Sequence, residues 1–293
     1  MFPNLGQEFV DALLQAAQKK QSDRSSNSQS VPGNNKVTSP LTQRVSNPRN
    51  DPVNRKWDRE FFTGMALLSL ATVLIGFWPS YFGAGMIKAP LPSKLVHFHG
   101  AVFTLWMVLF VVQVGLIAAR KVKVHRALGL AGFGLAVVMV VLGLLTATAA
   151  VRRSLSGHLP GDALFFYVVP VSDLVLFAPL IFCAYWMRSK LDFHKRLALI
   201  ATIALMGAPL FRFPFAAMHT SVFAQSVVMF GFLLLVVGYD LLSLHRVHRA
   251  TLWSSAYLVF IHLVRVPLGS TAAWHSFANF MVGWDRVWSA VRL

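Results

Sequence analysis

The chemistry-bearing residues of this sequence are histidines placed at the ends of long apolar runs. His125, His194 and His248 each stand in a short basic turn, within HRAL (125–128), HKRL (194–197) and HRATL (248–252), just before an apolar run resumes. A second set, His99, His219 and His262, falls toward the opposite ends of the runs. Haem b in a helical bundle takes two imidazoles from facing helices at one depth, with cations near its propionates. Either histidine set offers that donor type, and the first is flanked by Arg and Lys. These six histidines are therefore the candidate haem or quinone ligands. His97 lies about 200° around a helix from His99, so the two share no face. His-x-His alone is a weak zinc motif, and no metal-ion site is expected.

Ionisable groups at membrane depth are costly and are functional candidates by default. Asp173 lies about ten residues into an apolar run, with Arg212 and Arg265 in later ones. The spacing allows Asp173 to pair with either arginine, as a packing ion pair or as part of a polar pocket with His99 and His262. Pro209 and Pro214 flank Arg212 and are expected to bend its helix, freeing carbonyls to line such a pocket. His99, Phe103, Trp106, Phe110 and Gln113 are spaced by four, three, four and three residues, which puts them on one helical face. A quinone site needs such an aromatic face with a proton-handling group, so Trp106 and Gln113 join the pocket candidates.

The elements that position these groups are transmembrane helices. Of 293 residues, 56% are hydrophobic, and the mean hydropathy is +0.58, above the ~45–50% apolar usage of soluble domains. Seven runs are long enough to cross ~30 Å of hydrocarbon, at about 61–82, 97–119, 127–151, 163–187, 197–217, 223–242 and 251–268. The expected fold is all-α: a polytopic bundle of one lead helix and three hairpins, the hairpins marked by the repeated basic turns. Faces of small residues, His125–Gly129–Gly132–Ala136–Met139–Gly143 and His194–Ala198–Ala201–Leu205–Ala208–Arg212, suit close helix contacts in lipid.

Residues 1–56 are polar and lack the apolar content to offset ordering entropy; they read as a disordered tail, with Phe9, Leu13 and Leu14 able to form a short amphipathic helix. No signal peptide is expected, since the first residues are neither basic nor followed by an apolar core. Residues 57–270 read as the membrane domain. Residues 271–293 place Trp274, Phe277, Met281, Trp284 and Trp288 at helical spacing, the pattern of an interfacial amphipathic helix. The single cysteine, Cys183, excludes an intrachain disulfide.

The formal charge is +16, and its distribution assigns it to lipid headgroups rather than nucleic acid. The turns at 120–126, 188–196 and 246–249 hold ten Lys and Arg; the opposite loops hold four, Lys88, Lys94, Arg152 and Arg153. The positive-inside pattern makes the first set cytoplasmic. The N-terminus is then cytoplasmic, and the expected location is the bacterial inner membrane.

The pattern H-x-H-G-x-x-F-T-x-W, a basic turn, then H-R-x-L-G-x-x-G is carried by His97, His99, Gly100, Phe103, Thr104, Trp106, His125, Arg126, Leu128, Gly129 and Gly132. It resembles a family of uncharacterised bacterial multi-pass membrane proteins, over residues 58–285. The resemblance implies a membrane location and no particular activity. More distantly, the His-to-His hairpin is similar to ascorbate-type b cytochromes and small oxidase-assembly membrane proteins, which implies haem b.

Three functions stay open. One is a haem- or quinone-associated redox or respiratory-assembly role, in contact with a respiratory complex. The second is binding or transport of a small molecule or lipid through the Asp173, Arg212 and His262 pocket. The third is a structural partner protein in which these groups set packing. P-loop, G-x-S-x-G, H-E-x-x-H and Rossmann motifs are absent, so no soluble-enzyme chemistry is indicated.

Overall fold

The computed structural model describes residues 52–157, 161–215, 218 and 222–288. The expected tail before residue 52 and His219 lie outside the described residues. The described chain is all-α, in one compact unit. Its helices are α1 (Pro52–Phe77), α2 (Lys94–Ala118), α3 (Val122–Ser156), α4 (Ala163–Phe166), α5 (Val168–Trp186), α6 (Leu191–Ala204), α7 (Gly207–Phe211), α8 (Val222–Leu244), α9 (Arg249–Gly269) and α10 (Ala272–Trp288). Among the described residues, seven helical stretches are long and apolar enough to cross a membrane. The protein is a multi-pass membrane protein. Leu234, Leu242 and Leu263 stand well exposed on the bundle surface, as lipid-facing side chains do.

The lead helix and three hairpins are present. α2 packs on α3, α5 on α6 and α8 on α9, and α1 packs on α2, α6 and α7. α1 starts at Pro52, earlier than the tail boundary expected at residue 56. Its last turn opens into a π-turn, Trp78–Phe82, closed by Gly83 N–H to the Trp78 carbonyl at 2.8 Å. Pro79, which has no N–H to give, sits inside that turn.

The bundle is organised around α6. Leu199, Ile200, Ala201, Ile203 and Ala204 have no exposed surface, and α1, α5, α8 and α9 all pack on this helix. The stretch 191–211 is the least apolar of the seven spans and the most buried. A helix shielded from lipid by its neighbours has no need of a hydrocarbon-facing surface, so it tolerates Asp192, Lys195, Arg196 and Thr202.

The fifth span, expected over 197–217, is broken after Ala204. Leu205 and Met206 bond back to Thr202 and Ile203, a tighter i→i+3 pattern, before α7 begins at Gly207. Pro209 explains the break: it withholds the N–H that would bond Leu205, four residues earlier, and its ring crowds that carbonyl. α1 crosses this break closely. A Cβ on Gly76 would lie 2.3 Å from the Pro209 carbonyl oxygen, so only glycine fits. On α3 the expected small-residue face is buried, with Ala136 and Met139 closed to solvent and Gly132 and Gly143 alongside.

The C-terminal helix α10 covers 272–288 of the expected 271–293, and the last five residues lie outside the described ones. Trp274 and Ala278 bury against a second small core containing Tyr167 and Val151, and Trp274 Nε1 donates to the Leu164 carbonyl at 2.8 Å.

Candidate functional site

The polar residues gather in two clusters, one at the basic turns and one inside the opposite half of the bundle. In that half, α5 and α9 bring Asp173, His262 and Arg265 together. All three are buried. Arg265 Nη1 lies 3.5 Å from Asp173 Oδ1, and Nη2 lies 3.5 Å from Ser226 Oγ of α8. His262 Nδ1 meets the Leu258 carbonyl at 3.0 Å. A carbonyl only accepts, so Nδ1 carries the proton and Nε2 presents a lone pair. The other side of Asp173 is closed by Gly207, whose notional Cβ would be 3.3 Å from Oδ2. Phe230 stands edge-on to His262 at 5.9 Å.

This cluster is underbonded. Asp173 Oδ1, His262 Nε2, Arg265 Nε and Arg265 Nη1 are buried atoms with no hydrogen-bond partner among the described residues. Asp173 Oδ1 and Arg265 Nη1 face each other in the 3.5 Å ion pair, so the uncompensated groups are His262 Nε2 and Arg265 Nε, at about 1–3 kcal/mol each. Trp106, packed edge-on to Phe177 at 5.2 Å one turn from Asp173, also has an unpartnered indole N–H.

Of the two pairings open to Asp173, the one formed is with Arg265. Arg212 does not join it: its guanidinium lies 4.7 Å from the Phe77 ring and donates to the Ala208 carbonyl at 2.9 Å. The α7 break explains this, since the chain turns before residue 212 and carries that side chain toward α1. The His99 ring lies tilted against Phe103 at 4.1 Å and feels the Arg212 charge, and its Nδ1 is buried without a hydrogen-bond partner among the described residues.

No family model, no curated protein and no solved structure matches this chain.

At the basic end the polar groups are mostly saturated. Asp240, fully buried on α8, accepts from Arg196 Nε at 2.9 Å and Nη2 at 2.5 Å through Oδ1. Its Oδ2 accepts from the His248 backbone N–H at 3.0 Å and the Thr251 hydroxyl at 2.5 Å. Next to it, Asp58 of α1 accepts from Lys195 Nζ and from the Tyr239 hydroxyl. These carboxylates lock α1, α6, α8 and α9 together at one level. His248 is the N-cap of α9, its Nδ1 accepting from Ala250 N–H at 3.1 Å. Burial, and then the Arg196 charge, hold its imidazole below its ordinary pKa of 6.5.

The remaining candidates meet beside this lock. The rings of His125 and His194 are 6.2 Å apart at 82°. His194 Nδ1 meets the Ala184 carbonyl at 2.8 Å. His125 lies against the Gln113 backbone, and His125 Nδ1 and Gln113 Oε1 are both buried without partners. Among the described residues no three His, Cys, Asp or Glu side chains gather as a metal site.

The lock itself is absent from the sequence expectations. Arg196, expected among the basic turn residues, is almost fully buried. The signal was available: Asp240 is an acid inside the sixth apolar run, as Asp173 is inside the fourth.

Proposed function

We propose that this protein binds the hydroxyl-bearing head of an amphiphile, of the quinol class, at Asp173, His262 and Arg265. The observation that carries the reading is the set of unpartnered buried atoms. His262 Nε2 is a lone-pair acceptor, and Arg265 Nε–H is a donor. A hydroxyl satisfies both at once: it donates to the imidazole and accepts from the guanidinium. Asp173, already leaning on Arg265, is placed to take a second proton donor. An imidazole that accepts a hydrogen bond from a quinol hydroxyl is also positioned to receive its proton. The apolar tail of such a ligand suits a site inside a bundle whose surface is lipid-facing.

The charge asymmetry of the loops supports a location in the outer half of a bacterial inner membrane, with the N-terminus cytoplasmic.

The test is equilibrium binding of a short-tailed quinol and its oxidised quinone to the detergent-purified full chain. The reading predicts that the quinol binds at least about tenfold more tightly, because the quinone has no O–H to give His262 Nε2. His262→Leu should abolish that preference, whereas Arg265→Gln, which removes a donor that either form accepts from, should weaken both. Equal affinity for both forms, or binding unaffected by either substitution, overturns the reading.

A further inference from the structure

His125 and His194 stand apart from the site just described and are not used by it. They begin outgoing helices α3 and α6, at equivalent places in two copies of the hairpin repeat. Their separation is that of two imidazoles on opposite sides of one metal centre. A metal–imidazole bond is about 2.0–2.1 Å and the ring centre lies about 1.1 Å beyond the nitrogen, so imidazoles on opposite sides of one centre have centroids about 6.3 Å apart, against about 5 Å at a tetrahedral ion. The rings here are 6.2 Å apart.

The hydrogen bonding agrees. The Ala184 carbonyl takes the Nδ1 proton of His194, which leaves the Nε2 lone pair uncommitted. A backbone carbonyl on the other ring nitrogen is the usual support of a metal-binding histidine. On the facing side, His125 Nδ1 and Gln113 Oε1 are buried and unpartnered, and the Gln113 amide nitrogen faces Gly129, one turn along α3 from His125. The third repeat histidine, His248, does not belong to the pair. Its Nδ1 is spent on the α9 cap, and its ring stands against Phe193 at 4.7 Å.

We propose that His125 and His194 together bind one first-row transition-metal centre at the basic end of the bundle. Two sources share this chemistry: a free ion, for which Gln113 Oε1 is a third donor, and the iron of a haem, for which Arg126, the cation beside His125, complements a carboxylate.

The test uses the full chain, purified in detergent from cells supplied with iron, copper, zinc and haem precursor. A reduced-minus-oxidised visible spectrum and elemental analysis are recorded on one sample. About one haem or one metal ion per chain is expected. His125→Ala should lower loading at least about tenfold. His194→Asn should do the same while its amide keeps the bond to Ala184, and monodispersity with an unchanged melting temperature checks that fold. His245→Ala, at an exposed turn position, should keep full loading. A haem spectrum unchanged by Gln113→Leu identifies iron of a haem; bound metal without a haem band, reduced by Gln113→Leu, identifies a free ion. Wild-type chain that takes up none of Zn²⁺, Cu⁺ or haemin overturns the proposal, as does undiminished loading in His194→Asn.

Discussion

Replacing Asp240 by Asn should be among the most damaging single changes in the protein. The carboxylate accepts four hydrogen bonds, two from Arg196, one from the His248 N–H and one from Thr251. Arg196 is 1% exposed and Asp240 0%, so water cannot replace the lost charge. Removing one partner of a buried pair costs about 3–5 kcal/mol, mainly through the uncompensated charge left behind. Arg196 has a second acid within reach, Asp192 at 3.8 Å, but that carboxylate is a third exposed and shared with Lys195, so it offsets little. The assay is reversible unfolding in mixed micelles, comparing Asp240→Asn with the paired change Arg196→Met and Asp240→Leu. The pair should recover most of the loss, because it removes both charges. A cost below about 1 kcal/mol for Asp240→Asn, the range of exposed ion pairs, would refute the reasoning, as would a double variant no better than the single.

Gly76→Ala should cost about 1–3 kcal/mol by overpacking against Pro209, whereas Gly64→Ala, with nothing within 4 Å of its Cβ, should be neutral or slightly stabilising; melting temperatures compare them. His248→Ala should cost about 0.5–2 kcal/mol as the loss of the α9 cap. His248 faces Arg196 and Lys195 as well as Asp240 and Asp192, and its folded pKa is lowered. Its contribution is therefore complete above pH 6.5 and is lost as pH falls below that toward the folded value. His248→Asn keeps a capping acceptor and should remove this part of the pH dependence, measured as melting temperature across pH 5 to 8.

The fold was legible because hydropathy and loop charge repeat through the chain: seven apolar runs and three basic turns are enough for a lead helix and three hairpins. Position within the bundle was less legible. The fifth span is the weakest in hydropathy, and it is central for that reason. Asp173 and Arg265 were recognisable as intramembrane charges, but their pairing depended on the α7 break that carries Arg212 away to Phe77. Arg196 looked like one more loop cation, because its burial is set by α8 and α9, far along the chain. His125 and His194 were recognisable from the repeat, whereas His248, matching them in sequence, serves as a helix cap.

The central claim is that Asp173, His262 and Arg265 are arranged for a ligand rather than for packing, and the stability of ligand-free His262→Leu tests it most directly. His262 bonds only a carbonyl of its own helix through Nδ1, and its Nε2 is unpartnered. A leucine there removes an unsatisfied polar atom, so the unfolding free energy should be unchanged or higher, while quinol binding is lost. A stability loss of more than about 2 kcal/mol would show that the imidazole holds the bundle together, and would contradict the account.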